Sequence, residues 1–194
     1  MKYLLFVLLI LAALNGTAFA DDVTTVRDDL EGKLNAVLDV MGQEDLDSNT
    51  KQDRVVRIVE PMFDFDLMSY YALGKTNWSG LSSEDKKRFT ELFTQLLKEI
   101  YLPKLTLYTN AEIVLETPIE EKNRIHIPTY AITQDEKMSI VFKFIKRKND
   151  WKIYDVETEG VSIISSNRSQ FKETLQRGTF EELLKTLEEM GSDR

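Results

Sequence analysis

The sequence predicts an α+β fold in which a four-stranded antiparallel sheet is wrapped by several helices. Apolar residues recur at three- and four-residue spacing before Pro103 and again near the C-terminus, while between Ala111 and Thr158 the period is two. Short polar turns separate the alternating runs, and short turns join antiparallel strands. The chain has 194 residues, no cysteine, one histidine and a formal net charge of -8. That length suits one domain with a sizeable core. A polyanion such as nucleic acid is repelled by that charge, and no Lys/Arg-rich cluster overcomes it locally. Without thiols there is no disulfide framework, thiolate metal site or lipid-attachment cysteine.

Residues 1–20 read as an export leader, with Lys2 as the positive end, Tyr3 to Leu14 as the apolar stretch and Ala18-Phe19-Ala20 as the small-x-small cleavage site. A membrane anchor is the rival reading. The apolar stretch falls short of the roughly 18 to 20 residues a spanning helix needs, and Asn15 and Gly16 interrupt it. The expected organisation is a segment 1–20 cleaved after Ala20 and one domain, 21–194.

Val26, Leu30, Leu34, Val37, Leu38 and Met41 trace one face of a first helix that stops near Gly42. Asp47, Ser48 and Asn49 are candidate caps for a second, carrying Val55, Val56, Ile58 and Val59 and ending near Pro61. Asp66 is expected to cap a short helical segment, Leu67 to Leu73; the rival reading pairs Asp64 with Asp66 as catalytic or metal-binding carboxylates. Ser82-Ser83-Glu84-Asp85 opens the longest helix, whose apolar face runs from Phe89 through Leu92, Phe93, Leu96, Leu97 and Ile100 to Tyr101. Such a stripe is filled core or ligand wall.

The strands are expected at Ala111 to Glu116, Arg124 to Thr133, Met138 to Lys146 and Trp151 to Thr158, as a meander. Met138, Ile140, Phe142 and Phe144 share one face. In the last strand Trp151, Ile153 and Asp155 fall on one face and Lys152, Tyr154 and Val156 on the other. Gly160 predicts a bulge or kink, after which Val161 to Ile164 resume the strand. Two helices end the chain, from about Arg168 to Gln176 and, after Gly178, from Thr179 to Met190.

Catalytic patterns are sparse. His126 sits in a strand beside Pro128 with no cysteine nucleophile or G-x-S-x-G turn to accompany it, and no phosphate-cradling glycine loop occurs. No metal and no cofactor is expected. The enzyme reading that survives uses Asp155 as a buried base, against the simpler reading of a carboxylate making a local hydrogen bond.

The stretch DWKIYDVETEGVSIISSNRSQF, residues 150–171, resembles the signature of the MlaC-type or toluene-tolerance family of periplasmic phospholipid-binding proteins. ALGKTNWSGLSSEDKKRFTELFTQLLKEIY, residues 72–101, is similar to the same family's helical segment. The resemblance covers most of the chain after residue 60 and departs from the family at Asn167, commonly aromatic, and at Pro103, where the family helix often continues. It implies an NTF2-like cone around an apolar lipid pocket. It also implies a periplasmic carrier, not an enzyme, that passes phospholipid between an outer-membrane lipoprotein complex and an inner-membrane ABC transporter with an MCE-type subunit, maintaining outer-membrane lipid asymmetry. A hopanoid or other polycyclic cargo is the variant the family allows. The expected walls are Leu73, Trp78, Phe93, Leu97 and Tyr101 from the helices and Ile140, Phe142, Val156, Val161 and Ile163 from the sheet. Each has the alternative of filled core. Arg168 either orients a head-group phosphate at the mouth or pairs with a nearby acid. A third reading, an accessory that docks to a transporter with a filled core, stays open at this point.

Overall fold

The computed structural model describes residues 2–148 and 150–192, with side chains over 22–148 and 150–190. The leader expected at residues 1–20 lies outside the described side chains. From Val23 onward the predicted stripe of α1 (Lys2–Met41) turns inward, burying Val26, Leu30, Val37 and Met41. Among the described residues no helix is long and apolar enough to cross a membrane.

Asp47, one of the three candidate caps, opens α2 (Ser48–Val59) by accepting the Thr50 amide at 3.0 Å. A 3₁₀ turn, Glu60–Met62, leads to α3 (Phe65–Leu73). The cap there is Asp64, not Asp66. The helix starts at Phe65, so the preceding carboxylate is the one that meets the Leu67 amide, at 2.9 Å. Asp64 is also held by an ion pair to Arg147 at 2.7 Å, and its amide donates to the Ile153 carbonyl at 2.9 Å. After Gly74 come the short α4 (Lys75–Ser79) and the long α5 (Ser83–Tyr101). Ser82 caps the helix by accepting the Asp85 amide at 3.0 Å, and its hydroxyl donates to the Asp85 carboxylate at 2.7 Å. Pro103 lacks the N–H that an α-helix needs, and the chain continues as a 3₁₀ segment, Pro103–Tyr108.

The four expected strands are β1 (Glu112–Leu115), β3 (Arg124–Ile132), β4 (Lys137–Arg147) and β5 (Asp150–Thr158), antiparallel neighbours in the order β1-β3-β4-β5. Two short strands enlarge the sheet to six. β2 (Ile119–Glu121) lies in the segment read as a turn and pairs with the start of β3; β6 (Val161–Ser162) pairs with the end of β5. The glutamates of β2 have little strand propensity, so pairing with β3 decides its conformation. Glu159 (φ 49) and Gly160 (φ 76) form a two-residue hairpin turn rather than the expected kink. Strand β6 is then cut short, because α6 (Ile163–Arg177) starts at Ile163, well before Arg168, with Ser162 accepting the Ser165 amide at 3.0 Å. Helix α7 (Phe180–Ser192) follows a Thr179–Glu182 capping box in which the Thr179 amide donates to Glu182 at 2.6 Å.

Burial sorts the apolar side chains into three clusters. Met68, Leu73, Phe89, Phe93, Phe171 and Leu184 belong to a helical cluster built by α3, α5, α6 and α7. Ile125, Ile127, Phe144, Ile153 and Val156 line the inner face of the sheet beneath Val26 and Leu30 of α1. A smaller group joins Val37, Met41 and Val55 to Leu102 and Leu105.

Gly74 joins α3 to α4 with no spacer, at φ 82 and ψ 149, a backbone region that essentially only glycine occupies. A Cβ there would meet the Arg168 guanidinium at 3.6 Å, an ordinary contact, so the cost of substitution lies in the backbone. Gly74→Ala is expected to lower stability by about 1–3 kcal/mol, seen as a lower denaturant midpoint at constant slope.

Candidate functional site

Alternation alone places Asp155 beside Ile153, but β5 carries one extra residue. Ile153 pairs with Phe144 and Asp155 with the adjacent Lys143, leaving Tyr154 unopposed as a β-bulge. Beyond the bulge every side chain changes face. Val156 therefore joins Trp151 and Ile153 on the inner face, opposite Phe142, while Asp155 goes to the outer face. The sequence reading of these two faces is corrected accordingly. The kink assigned to Gly160 sits at Tyr154.

On the outer face Asp155 is 6% exposed and fully engaged. One oxygen accepts the Ile164 amide at 3.2 Å; the other accepts from Lys143 at 3.1 Å and from the Ser162 hydroxyl at 2.8 Å. The carboxylate thus clips β4, β6 and the first turn of α6 together. Burial opposes the charge on Lys143, but hydrogen bonds to Glu157 (2.7 Å) and Asp155 outweigh it and raise its pKa. Three of the carboxylate's roughly four lone-pair sites are taken by protein donors, the pattern of a side chain making local hydrogen bonds. Nearby, Nε2 of His126 lies 3.2 Å from the Tyr154 hydroxyl. Burial holds the imidazole pKa below its ordinary value, with Glu121 opposing and Lys143 and Arg124 reinforcing the shift.

The expected wall residues divide between two clusters. Leu73, Phe93 and Leu97 are buried in the helical cluster, with Trp78 and Tyr101 half-buried against it. Val156 is buried in the sheet cluster, with Ile140 and Phe142 half-buried against it. Ile163 lies on α6 rather than on a strand, and it packs against both clusters, as does Phe63. Val161 is 56% exposed on β6. A half-open cleft of about 410 Å³ lies elsewhere, between the end of α1, the start of α2 and the 3₁₀ segment; Met41, Lys51, Leu102 and Thr106 are in its lining, and no expected wall residue is.

Sequence reasoning missed Phe63. Its rung beside Ile153 is a parallel pairing between segments far apart in the chain, and nothing in Met62-Phe63-Asp64 announces it. Gly74 and Arg168 come from the two stretches that carry the family resemblance, and the fold sets the Arg168 guanidinium 3.6 Å from where a Cβ on Gly74 would stand. Arg168 and Arg57 are exposed and have neither an ion pair nor a hydrogen bond among the described residues, whereas Arg27, Arg88, Arg147 and Arg177 each meet a carboxylate. The acid partner considered from the sequence is not found among the described residues.

Two outcomes test this geometry. Asp155→Asn is expected to destabilise the fold by about 1–3 kcal/mol, the cost of weakening buried charge-assisted hydrogen bonds, in chemical denaturation; a free base would leave stability unchanged. Because the folded state disfavours imidazolium, the unfolded chain takes up that proton first. Stability should fall as pH drops through the ordinary imidazole value of 6.5, and His126→Gln should flatten that slope.

A family model described as "MlaC protein" matches residues 31–189. Over 121 residues the chain is 26% identical to the intermembrane phospholipid transport system binding protein MlaC of Haemophilus influenzae. That match covers 59% of this chain and spans 56% of the relative's length. The phospholipid-binding protein of Ralstonia solanacearum, solved in complex with a phospholipid, aligns with a TM-score of 0.74 at 20% identity, over 88% of this chain and 96% of that one. The likeness shows a shared fold. Since the family match takes in all six strands, both stretches of resemblance and every helix from the latter part of α1 to α7, the chain belongs to the MlaC family.

Proposed function

We propose that this chain is a periplasmic carrier that holds phospholipid acyl chains along the seam between its helical and sheet clusters. The observation that carries the reading is the seam itself. Phe63 and Ile163 touch both clusters and are themselves only half-buried. Apolar side chains in that position contribute less to folding than they could and are available to hydrocarbon. Family membership supports the same reading, as does the phospholipid bound by the Ralstonia solanacearum protein of like fold.

The energetics explain why a carrier is needed. At about 0.8 kcal/mol per methylene, a lipid with on the order of thirty methylenes faces over ~20 kcal/mol on crossing water unshielded. An apolar seam offsets that cost without a specific bond to each carbon, so chain selectivity is loose. The unpaired Arg168 guanidinium is the head-group contact, since a phosphate supplies the anion this side chain lacks. In this reading residues 1–20 direct export. The cargo passes between an outer-membrane lipoprotein complex and an inner-membrane ABC transporter with an MCE-type subunit, which maintains outer-membrane lipid asymmetry.

The test is native mass spectrometry of the mature chain purified from its natural host. Phospholipid masses should accompany the protein, and Arg168→Gln should lower the fraction loaded; a chain that arrives bare overturns the carrier reading and favours a docking accessory with a filled core.

A further inference from the structure

Among the described residues three polar ones are buried: Ser69, Thr129 and Asp155. Two of them are satisfied. The Thr129 hydroxyl donates to the Ile127 carbonyl at 3.3 Å, and Asp155 accepts from Lys143, Ser162 and the Ile164 amide. Ser69 is 0% exposed, and its hydroxyl has no hydrogen-bond partner among the described residues. Atoms of Thr90, Glu99 and Trp151 are unpartnered too, but on residues that are only half-buried. A helical hydroxyl can bond the carbonyl four residues back, as those of Ser79, Ser169, Thr174 and Thr186 do here. Ser69 makes no such bond to Phe65, so a donor is left in the interior at a cost to the fold.

The surroundings of that donor match the layout of a phospholipid. Phe63 lies just before α3 and Ile163 opens α6, so the seam runs between the starts of two helices that pack side by side. Ser69 shares the buried face of α3 with Met68, Ala72 and Leu73. On α6, Ile164 and Phe171 are buried in the same cluster, and Arg168 falls between them at four- and three-residue spacing, on the same side of the helix. Gly74, near which the Arg168 guanidinium sits, is five residues beyond Ser69, or about 7.5 Å along a helix. From the surface inward the order is an exposed cation, a buried neutral donor and an apolar cluster. A phospholipid presents a phosphate, ester carbonyls and acyl chains in the same order. A neutral carbonyl costs far less to bury than a phosphate, so the buried hydroxyl suits the ester and the exposed guanidinium suits the phosphate.

We propose that the Ser69 hydroxyl donates a hydrogen bond to an ester carbonyl of the bound lipid, and that this contact makes the carrier favour acyl esters over lipids without one. Cargo reaches the hydroxyl by parting α3 from α6 along the seam. The inference rests on the carrier reading and adds one point of selectivity to a seam that is loose toward acyl chains.

The experiment offers the delipidated mature chain an equimolar mixture of diacyl phosphatidylglycerol and its dialkyl ether analogue in detergent micelles, and native mass spectrometry reads the ratio retained. The ester lipid should exceed the ether by roughly three- to tenfold, the net contribution of one hydrogen bond, and Ser69→Ala should remove the preference. A preference absent from the unsubstituted chain, or one that survives Ser69→Ala, overturns the proposal. Chemical denaturation of the delipidated chains separates this role from a structural one. Ser69→Ala deletes a buried donor that the protein leaves unpartnered and installs a better helix former, so the midpoint should be unchanged or higher. A lower midpoint means that the protein itself holds the hydroxyl, and overturns the proposal. Both lipids retained without preference sinks this inference alone, whereas neither lipid retained by the unsubstituted chain sinks the carrier reading with it.

Discussion

The extra residue at Tyr154 governs how the two halves of this molecule meet. Without it Asp155 would lie on the inner sheet face, and a carboxylate among Phe142, Phe144 and Ile153 would carry a desolvation penalty of several kcal/mol with no cation opposite. With it, Asp155 turns to the outer face, meets Lys143 and Ser162, and accepts the Ile164 amide at the start of α6. The position vacated on the inner face goes to Val156. One bulge thereby completes an apolar surface and positions the helix that closes over its edge.

Two residues bridge the helical and sheet clusters at this junction, Phe63 and Ile163. Leu30, Ile127, Phe89 and Leu184 are fully buried on either side, while Phe63 and Ile163, which touch both clusters, remain half-buried. Close packing is what stabilises a core, so apolar groups left partly uncovered weaken the fold locally. A fold meant only for stability gains nothing from that arrangement. A protein that accepts hydrocarbon does, because the ligand supplies the missing contacts.

Much of the architecture was legible in the chain. Three- and four-residue spacing marked α1 and α5, Ser82-Ser83-Glu84-Asp85 marked a helix start, and alternation found the four long strands within a residue or two of their ends. These features depend on neighbours close in sequence. The misreadings share a different cause. Local sequence points to Asp66 rather than Asp64 because the contacts of Asp64 with Arg147 and the Ile153 carbonyl come from distant strands. The start of α6 was placed too late because the Asp155 contact that supports it also comes from another element. The sequence of strand β2 reads as a turn because its own residues favour none of the structure that β3 imposes.

Of the wall residues expected from the chain, composition and period could say that they are apolar and on which helix or strand face they fall. By themselves they determined the α+β class, the main elements and the family likeness, since each is written in local spacing and in contiguous motifs. Only tertiary structure decided that the inner face contains Val156 and not Asp155, that Phe63 and Ile163 span two clusters, and that Arg168 comes close to Gly74 with no acid partner among the described residues. Those outcomes depend on strand register and on contacts between segments up to a hundred residues apart. A single inserted residue in one strand reverses them while leaving every local pattern unchanged.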